Sequence, residues 1–262
     1  MHLLHLMHIS GRMREEISAD LTSRDLIRYD RQLLMLGREG QEKLKRASVA
    51  VVGIGGLGSP AAFYLAGAGV GRLILIDPEK PELSNLNRQI LHWENDFSLA
   101  KARSAAEKLA RFNSDILIEP RPVKISKENV SDILGDADVV VDGLDNYETR
   151  YVINEYCVND KKPYVHAAVR GLVGQATTIV PGRSPCLKCI VPESPEPEEK
   201  FPIIGATAGV LGCIEAVETI KLITGLGRPL VGELLLVDLE DMAFNLVKVK
   251  RRADCPVCRN PE

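Results

Sequence analysis

Four cysteines stand in two pairs of identical spacing, Cys186 with Cys189 and Cys255 with Cys258. Thiolates at C-x-x-C spacing can grip one metal ion, and two such pairs supply the four soft ligands of a tetrahedral Zn²⁺. A closed set of four leaves no open coordination position, so the expected role is structural: it would pin the C-terminal segment to the middle of the chain. The alternatives are two unrelated pairs or a redox C-x-x-C. Cys157 and Cys213 stand alone inside helical patterns and read as buried, inert thiols.

A second constellation begins at "VVGIGGLGSP", residues 51 to 60. Gly53, Gly55 and Gly58 satisfy G-x-G-x-x-G, with Gly56 between them, after an apolar strand and before a helix. Glycines let backbone N–H groups approach a phosphate, and a helix N-terminus favours negative charge. Asp77 closes the next apolar run at the distance expected of a ribose ligand. By itself the pattern favours a dinucleotide such as NAD. An acid and a glycine turn serve ATP equally well, so the ligand stays open at this point.

The following residues bear on that choice. "SNLNRQ" carries Asn85, Arg88 and Gln89, and Lys101 opens a later helix. Hydride transfer needs no such concentration of cations, whereas reaction at a phosphate builds charge on oxygen. Asp145 and Asn146 follow the end of another apolar run. A carboxylate facing phosphates calls for Mg²⁺ between them. Each residue alone reads as solvated surface charge; together, on loops along one sheet edge, they mark a phosphate site. His92 and His166 could be proposed as acid–base groups but read as ordinary, satisfied side chains. No Ser-His-Asp arrangement is found.

These residues need a scaffold. Apolar runs at 48–53, 72–77, 116–120 and 137–146, with "PYVHAAV" at 163–169, alternate with helical spacing at 99–112 and 147–160. Continuous Val and Ile, rather than alternation, imply strands buried on both faces of a parallel sheet. Residues 24–46 have a charged helical rhythm. After 170 the pattern changes to an antiparallel strand, "GQATTIV", and an acidic, proline-rich segment at 192–202 expected to be a mobile loop. A long helix follows, with Gly225 as its C-cap, and then two strands expected to form a hairpin. The fold class is α/β: a Rossmann-like, mostly parallel sheet flanked by helices, with C-terminal antiparallel strands and a structural zinc site.

The chain has 262 residues, 45% hydrophobic, and a net charge of -3, which suits one large or two small globular units. Near-balanced charge gives no footprint for nucleic acid or an anionic membrane, and no apolar run is long enough to span a bilayer. His2, His5 and His8 recur every third residue, but the opening segment reads as a flexible tail, or as an overlong start with Met13 the natural one. A cytoplasmic location is expected.

Taken together, "RYDRQ" (28–32), "GIGGLGS" (53–59), "LIDPEKPELSNLNRQ" (75–89), Lys101, "DGLDNYETR" (142–150) and the cysteine pairs resemble the ThiF/MoeB/HesA family, relatives of the ubiquitin-activating enzymes. Within it the likeness is to molybdopterin-synthase and other sulfur-carrier adenylyltransferases. The resemblance implies Mg-ATP-dependent adenylation of the C-terminal glycine carboxylate of a small ubiquitin-fold carrier ending in Gly-Gly, with release of pyrophosphate. It implies that Gly56, Asp77, Asn85, Arg88, Lys101, Asp145 and Asn146 hold ATP and Mg²⁺. It also implies that Arg31 reaches the phosphates of a neighbouring subunit, hence a homodimer. The chain would divide into a tail (1–23), a nucleotide-binding lobe with an N-terminal helical segment (24–166) and a carrier-binding and zinc lobe (167–262) of one compact domain. One departure stands out: many members carry a cysteine in the loop before the long helix, and this chain has none between Ile190 and Gly212. The competing readings are activation of a non-protein carboxylate, as in a tRNA-modifying dehydratase, an NAD-dependent oxidoreductase and a non-catalytic nucleotide-binding scaffold.

Overall fold

Uninterrupted apolar runs have no polar face to offer water, so each must be covered on both sides. In the computed structural model, which describes residues 20–196 and 200–259, the runs at 48–53, 72–77 and 137–142 become the buried centre of one sheet, whereas the run at 116–120, also expected to be buried, forms its partly exposed edge because no described strand pairs beyond it. The strands are β1 (Ser48–Val52), β2 (Arg72–Ile76), β3 (Leu117–Arg121), β4 (Val139–Asp142), β5 (Tyr164–Arg170), β6 (Val173–Ile179), β7 (Glu233–Asp238) and β8 (Ala243–Lys248). They lie in the order β3-β2-β1-β4-β5-β6-β7-β8. The first five are parallel; β6, β7 and β8 are added antiparallel. Residue 166 falls within β5, inside the continuous sheet. The N-terminal histidines, and residues 197–199 of the acidic segment, lie outside the described residues.

The helices are α1 (Ser23–Arg28), α2 (Asp30–Arg46), α3 (Gly58–Ala68), α4 (Lys101–Phe112), α5 (Val130–Leu134), α6 (Tyr147–Asn159), α7 (Leu187–Ile190) and α8 (Gly205–Thr224). The helical rhythm expected over 24–46 is interrupted at Tyr29 and again at Gly37, whose φ of 63° takes it out of the helical region. α3 is built of small residues and lies flat on the sheet, with Ala61, Ala62, Leu65 and Ala66 fully buried. Gly225 caps α8 in the left-handed conformation, φ 77°.

Successive β1 side chains point to opposite faces. Val49 and Val51 join Leu65, Leu73, Leu75, Leu109 and Ala216 under α3, α4 and α8. Ala50 and Val52 join Ile74, Ile76, Val140, Ile153 and Leu187 under α5, α6 and α7. Each fully buried Leu or Ile contributes about 1.5–3 kcal/mol, so the two layers fix the strand register that positions the loops. Among the described residues no helix is long and apolar enough to cross a membrane.

Candidate active site and metal centre

In an open parallel sheet, ligands bind beyond the carboxyl ends of the strands where the order reverses. Here that point lies between β1 and β4, and glycines close it. A Cβ on Gly58 would sit 1.8 Å from the Gly53 carbonyl oxygen, and one on Gly143 2.1 Å from the same atom. Gly53 itself has φ 85°. Three of the glycines are therefore required for backbone to meet backbone. Gly55 and Gly56 differ: both are half-buried, and a Cβ on Gly55 would meet nothing nearer than the Gln89 amide at 3.6 Å. They form the exposed lip of the turn. A Cβ on Gly56 would touch Ala208 in the first turn of α8 at 3.2 Å and Arg88 Cγ at 3.4 Å.

Around this lip lie most of the residues expected from sequence. Asp77 follows β2; its Oδ2 accepts the Ile54 N–H at 2.8 Å and its Oδ1 the Glu79 N–H at 2.9 Å. Burial pushes its carboxyl above the ordinary range against those two donors. Lys101 is buried and reaches Glu79 at 2.8 Å. Arg88 is half-buried, held by the Ser84 carbonyl at 3.0 Å and the Asn87 amide oxygen at 2.9 Å. Gln89 is buried, and its Oε1 has no hydrogen-bond partner among the described residues. Asn85 accepts the Glu82 N–H at 3.2 Å and carries the short turn from which Arg88 and Gln89 hang. Asp145 and Asn146 are exposed past β4. Asn146 caps α6 through Thr149 N–H at 3.0 Å, and its Nδ2 lies 3.3 Å from Asp145 Oδ1.

Beneath Asp145 lies a buried network that the sequence did not disclose. Asp142 ends β4 and is fully buried. It accepts from Arg150 Nε at 3.0 Å, Tyr164 hydroxyl at 2.6 Å, His166 Nδ1 at 2.5 Å and Leu144 N–H at 3.0 Å. Burial opposes its ionisation, but the Arg150 charge and the His166 and Tyr164 donors hold it at about 2. Arg150 also donates to the Leu144 carbonyl at 2.5 Å. Both backbone groups of Leu144 are thus clamped, which aims the next residue, Asp145. Glu215 is also fully buried; both its oxygens lack a hydrogen-bond partner among the described residues, and burial pushes its carboxyl well above the ordinary range. The histidines expected to be ordinary side chains are both buried: His166 has its Nε2 unpartnered, whereas His92 is bonded at both nitrogens.

Arg31 does not join this cluster within its own chain. It is exposed on α2, whose neighbours Tyr29 and Gln41 pack on Gly69 at the far end of α3. An 11-residue helix separates that end from the glycine turn, about 16 Å.

The four cysteines do come together. Their sulfurs all lie within 4.8 Å of one another, with Cys186 to Cys255 at 3.7 Å and Cys189 to Cys258 at 3.4 Å. A tetrahedron with Zn–S bonds near 2.3 Å has edges of about 3.8 Å, so the set fits Zn²⁺. Burial raises the Cys186 thiol, and burial with neighbouring sulfur brings Cys258 to about 11; backbone N–H groups outweigh burial at Cys255 and bring it to about 7. Were all four ionised by a bound metal, the cation would offset the repulsion of thiolates at this distance. The knuckle is fastened to α6, where Asn154 Oδ1 accepts the Leu187 N–H at 2.8 Å. Cys157 is fully buried and Cys213 partly so, and burial raises both thiols, as expected of inert groups. A separate cavity of about 830 Å³ lies between α8 and the β7–β8 hairpin; it is apolar and holds none of the candidate polar residues.

Comparison with known proteins identifies the family. The ThiF family model matches residues 29–257. The chain is 43% identical over 249 residues to the SAMP-activating enzyme E1 of Haloferax volcanii, covering 92% of this chain and 91% of the relative. It is 42% identical to the heterocyst HesA protein of Trichormus variabilis, with 92% and 91% covered. It is also 42% identical to the adenylyltransferase and sulfurtransferase MOCS3 of Culex quinquefasciatus, covering 91% of this chain but 56% of that one. Among solved structures, E. coli MccB with MccA-N7isoASN superposes with a TM-score of 0.81 at 26% identity, over 92% of this chain and 76% of MccB. The chain belongs to the ThiF family and is an adenylyltransferase.

Proposed function

We propose that this adenylyltransferase uses Mg-ATP to adenylate the C-terminal glycine carboxylate of a small ubiquitin-fold carrier protein, releasing pyrophosphate. The observation that carries the reading is the gathering, at the β1/β4 switch point, of an open glycine lip, Asp77, Arg88, Lys101 and Asp145. The names of the relatives, an E1 for SAMP and MOCS3, point to the same substrate class.

The chemistry needs little more. A C-terminal carboxylate is already ionised near neutral pH, so it attacks the α-phosphate without a general base. Asp77 would hold the ribose, with Asn85 and Gln89 alongside. Arg88 and Lys101 would stabilise charge on the phosphate oxygens, with Lys101 exchanging Glu79 for phosphate. Asp145 and Asn146 would hold Mg²⁺, which screens the carboxylate from the phosphates and neutralises charge as it develops. Arg31, remote from its own site, would serve the site of a second copy. Zinc at the four cysteines would be structural. With no cysteine between Ile190 and Gly212, the reaction would stop at the acyl-adenylate, and a separate protein would supply sulfur.

ATP–pyrophosphate exchange tests the reading, run with candidate carriers ending in Gly-Gly and with Asp145→Ala as control. Carrier-dependent exchange that the substitution lowers by at least about a hundredfold is the expected result. ATP binding without exchange on any carrier would turn the assignment toward a non-protein carboxylate or a scaffold. Absence of ATP binding would return the glycine turn to dinucleotides.

A further inference from the structure

His92 is 3% exposed, follows the loop that carries Arg88 and Gln89, and lies on the inner side of the glycine turn. Its Nε2 is 2.8 Å from the Ile54 carbonyl oxygen and its Nδ1 is 2.9 Å from Ser104 Oγ, which also receives Lys108 Nζ at 3.0 Å. A carbonyl oxygen can only accept, so Nε2 carries the ring proton. An ammonium can only donate, so the Ser104 oxygen accepts from Lys108, and its hydroxyl proton faces two acceptors, His92 Nδ1 and the Asp96 carboxylate. With its proton on Nε2 the neutral ring leaves Nδ1 an acceptor, and the contacts run from Lys108 through Ser104 and His92 to Ile54. Burial, with the nearby charges of Lys101 and Lys108, brings the ring to about 4, so it is neutral throughout the physiological range.

The Ile54 carbonyl belongs to the same planar, trans peptide as the Gly55 N–H. In such a unit the C=O and N–H point in opposite directions. Anchoring the oxygen inward on His92 turns the Gly55 N–H outward, to the open lip. No hydrogen bond among the described residues uses that N–H. Gly55 has no side chain to resist rotation of the peptide, and the other donor to the Ile54 oxygen, the Ser59 hydroxyl, is at 3.4 Å. On the far side of Ile54, its own N–H is fixed by Asp77.

We propose that His92 is a positioning residue for the phosphate site, holding the Ile54–Gly55 peptide plane so that the Gly55 N–H faces the phosphates of the nucleotide. The proposal rests on the ATP reading given above. Ser104 is the second member of the device, because its hydroxyl is the donor within reach of Nδ1 in the tautomer that can donate to Ile54.

The test compares His92→Leu, which removes the donor at similar volume, with His92→Gln, whose amide N–H reaches a similar distance. Calorimetry would give Kd for ATP and for adenosine, alongside Tm. Loss of one hydrogen bond aimed at phosphate predicts about a tenfold weaker Kd for ATP in His92→Leu, with adenosine unchanged and most of the loss recovered in His92→Gln. Ser104→Ala, which leaves the ring in place, should weaken ATP in the same direction by about threefold and serves if the leucine variant does not fold. Equal weakening of ATP and adenosine, or ATP affinity unchanged in both His92→Leu and Ser104→Ala, would overturn the proposal. Wild-type protein that binds no ATP would remove the nucleotide reading itself, and this proposal with it.

Discussion

Two acids three residues apart, Asp142 and Asp145, have opposite fates. Asp145 is exposed at the sheet edge; Asp142 is fully buried, and Arg150, His166 and Tyr164 hold its pKa at about 2 against an ordinary 3.8. A carboxylate whose folded pKa is depressed contributes stability above its unfolded pKa and loses it as pH falls through the folded one. The window here is pH 4 down to 2, and the contribution about 2 kcal/mol. Urea titrations across that window should show the loss in the wild type. Asp142→Asn should lack this acid limb while being less stable at pH 7 by roughly 3–5 kcal/mol, because Arg150 stays buried without its counter-charge. Parallel curves for the two proteins would mean that Asp142 is not the group responsible. The sequence singled out Asp145 but gave no sign that Asp142 is buried, since that depends on the strand end and the packing of α6. It did supply the types of almost every group at the lip. It could not show that Gly53 and Gly58 are needed for backbone contact while Gly55 and Gly56 face the site, because that depends on Gly143, far along the chain.

At the scale of elements, the long apolar runs were legible because a strand buried on both faces leaves a continuous signature. The C-terminal hairpin was legible because two apolar runs flank a short turn. α5, five residues long, and the break at Gly37 were not: one turn of helix has no measurable period, and nothing around Gly37 announces a positive φ. The cysteine cluster was legible from spacing, but its attachment to α6 through Asn154 was not. That attachment bears on metal removal. Chelation, or Cys258→Ser, should free the segment carrying Lys250, Arg251 and Arg252 for cleavage by trypsin, read by mass spectrometry. ATP affinity should change by less than about threefold, because the glycine turn, Asp77 and Lys101 hang on other elements. A parallel loss of ATP affinity would show that the knuckle braces the Asp145 loop through α6.

For the whole molecule, the position of Arg31 is the decisive feature. Its neighbours Tyr29 and Gln41 pack at the end of α3 remote from the glycine turn, and the proposed function has it serve the site of another copy. Mixing Arg31→Ala with Asp145→Ala protein, each inactive alone, would then restore activity. Random pairing makes half the dimers mixed, with one intact site of two, so about a quarter of wild-type exchange is expected. No recovery on mixing would place Arg31 outside the reaction.

The cysteine centre has a further consequence, in the order of synthesis. Cys186 and Cys189 are translated before α8 and the last two strands, whereas Cys255 and Cys258 follow β8. A nascent chain on the ribosome therefore holds only half a ligand set until all eight strands have been made. A two-thiolate site grips metal weakly, so if the four cysteines hold Zn²⁺ its tight capture is deferred until the sheet is complete. A chain clipped before residue 255 would keep only two of the four thiols and is expected to bind Zn²⁺ far more weakly than the full set.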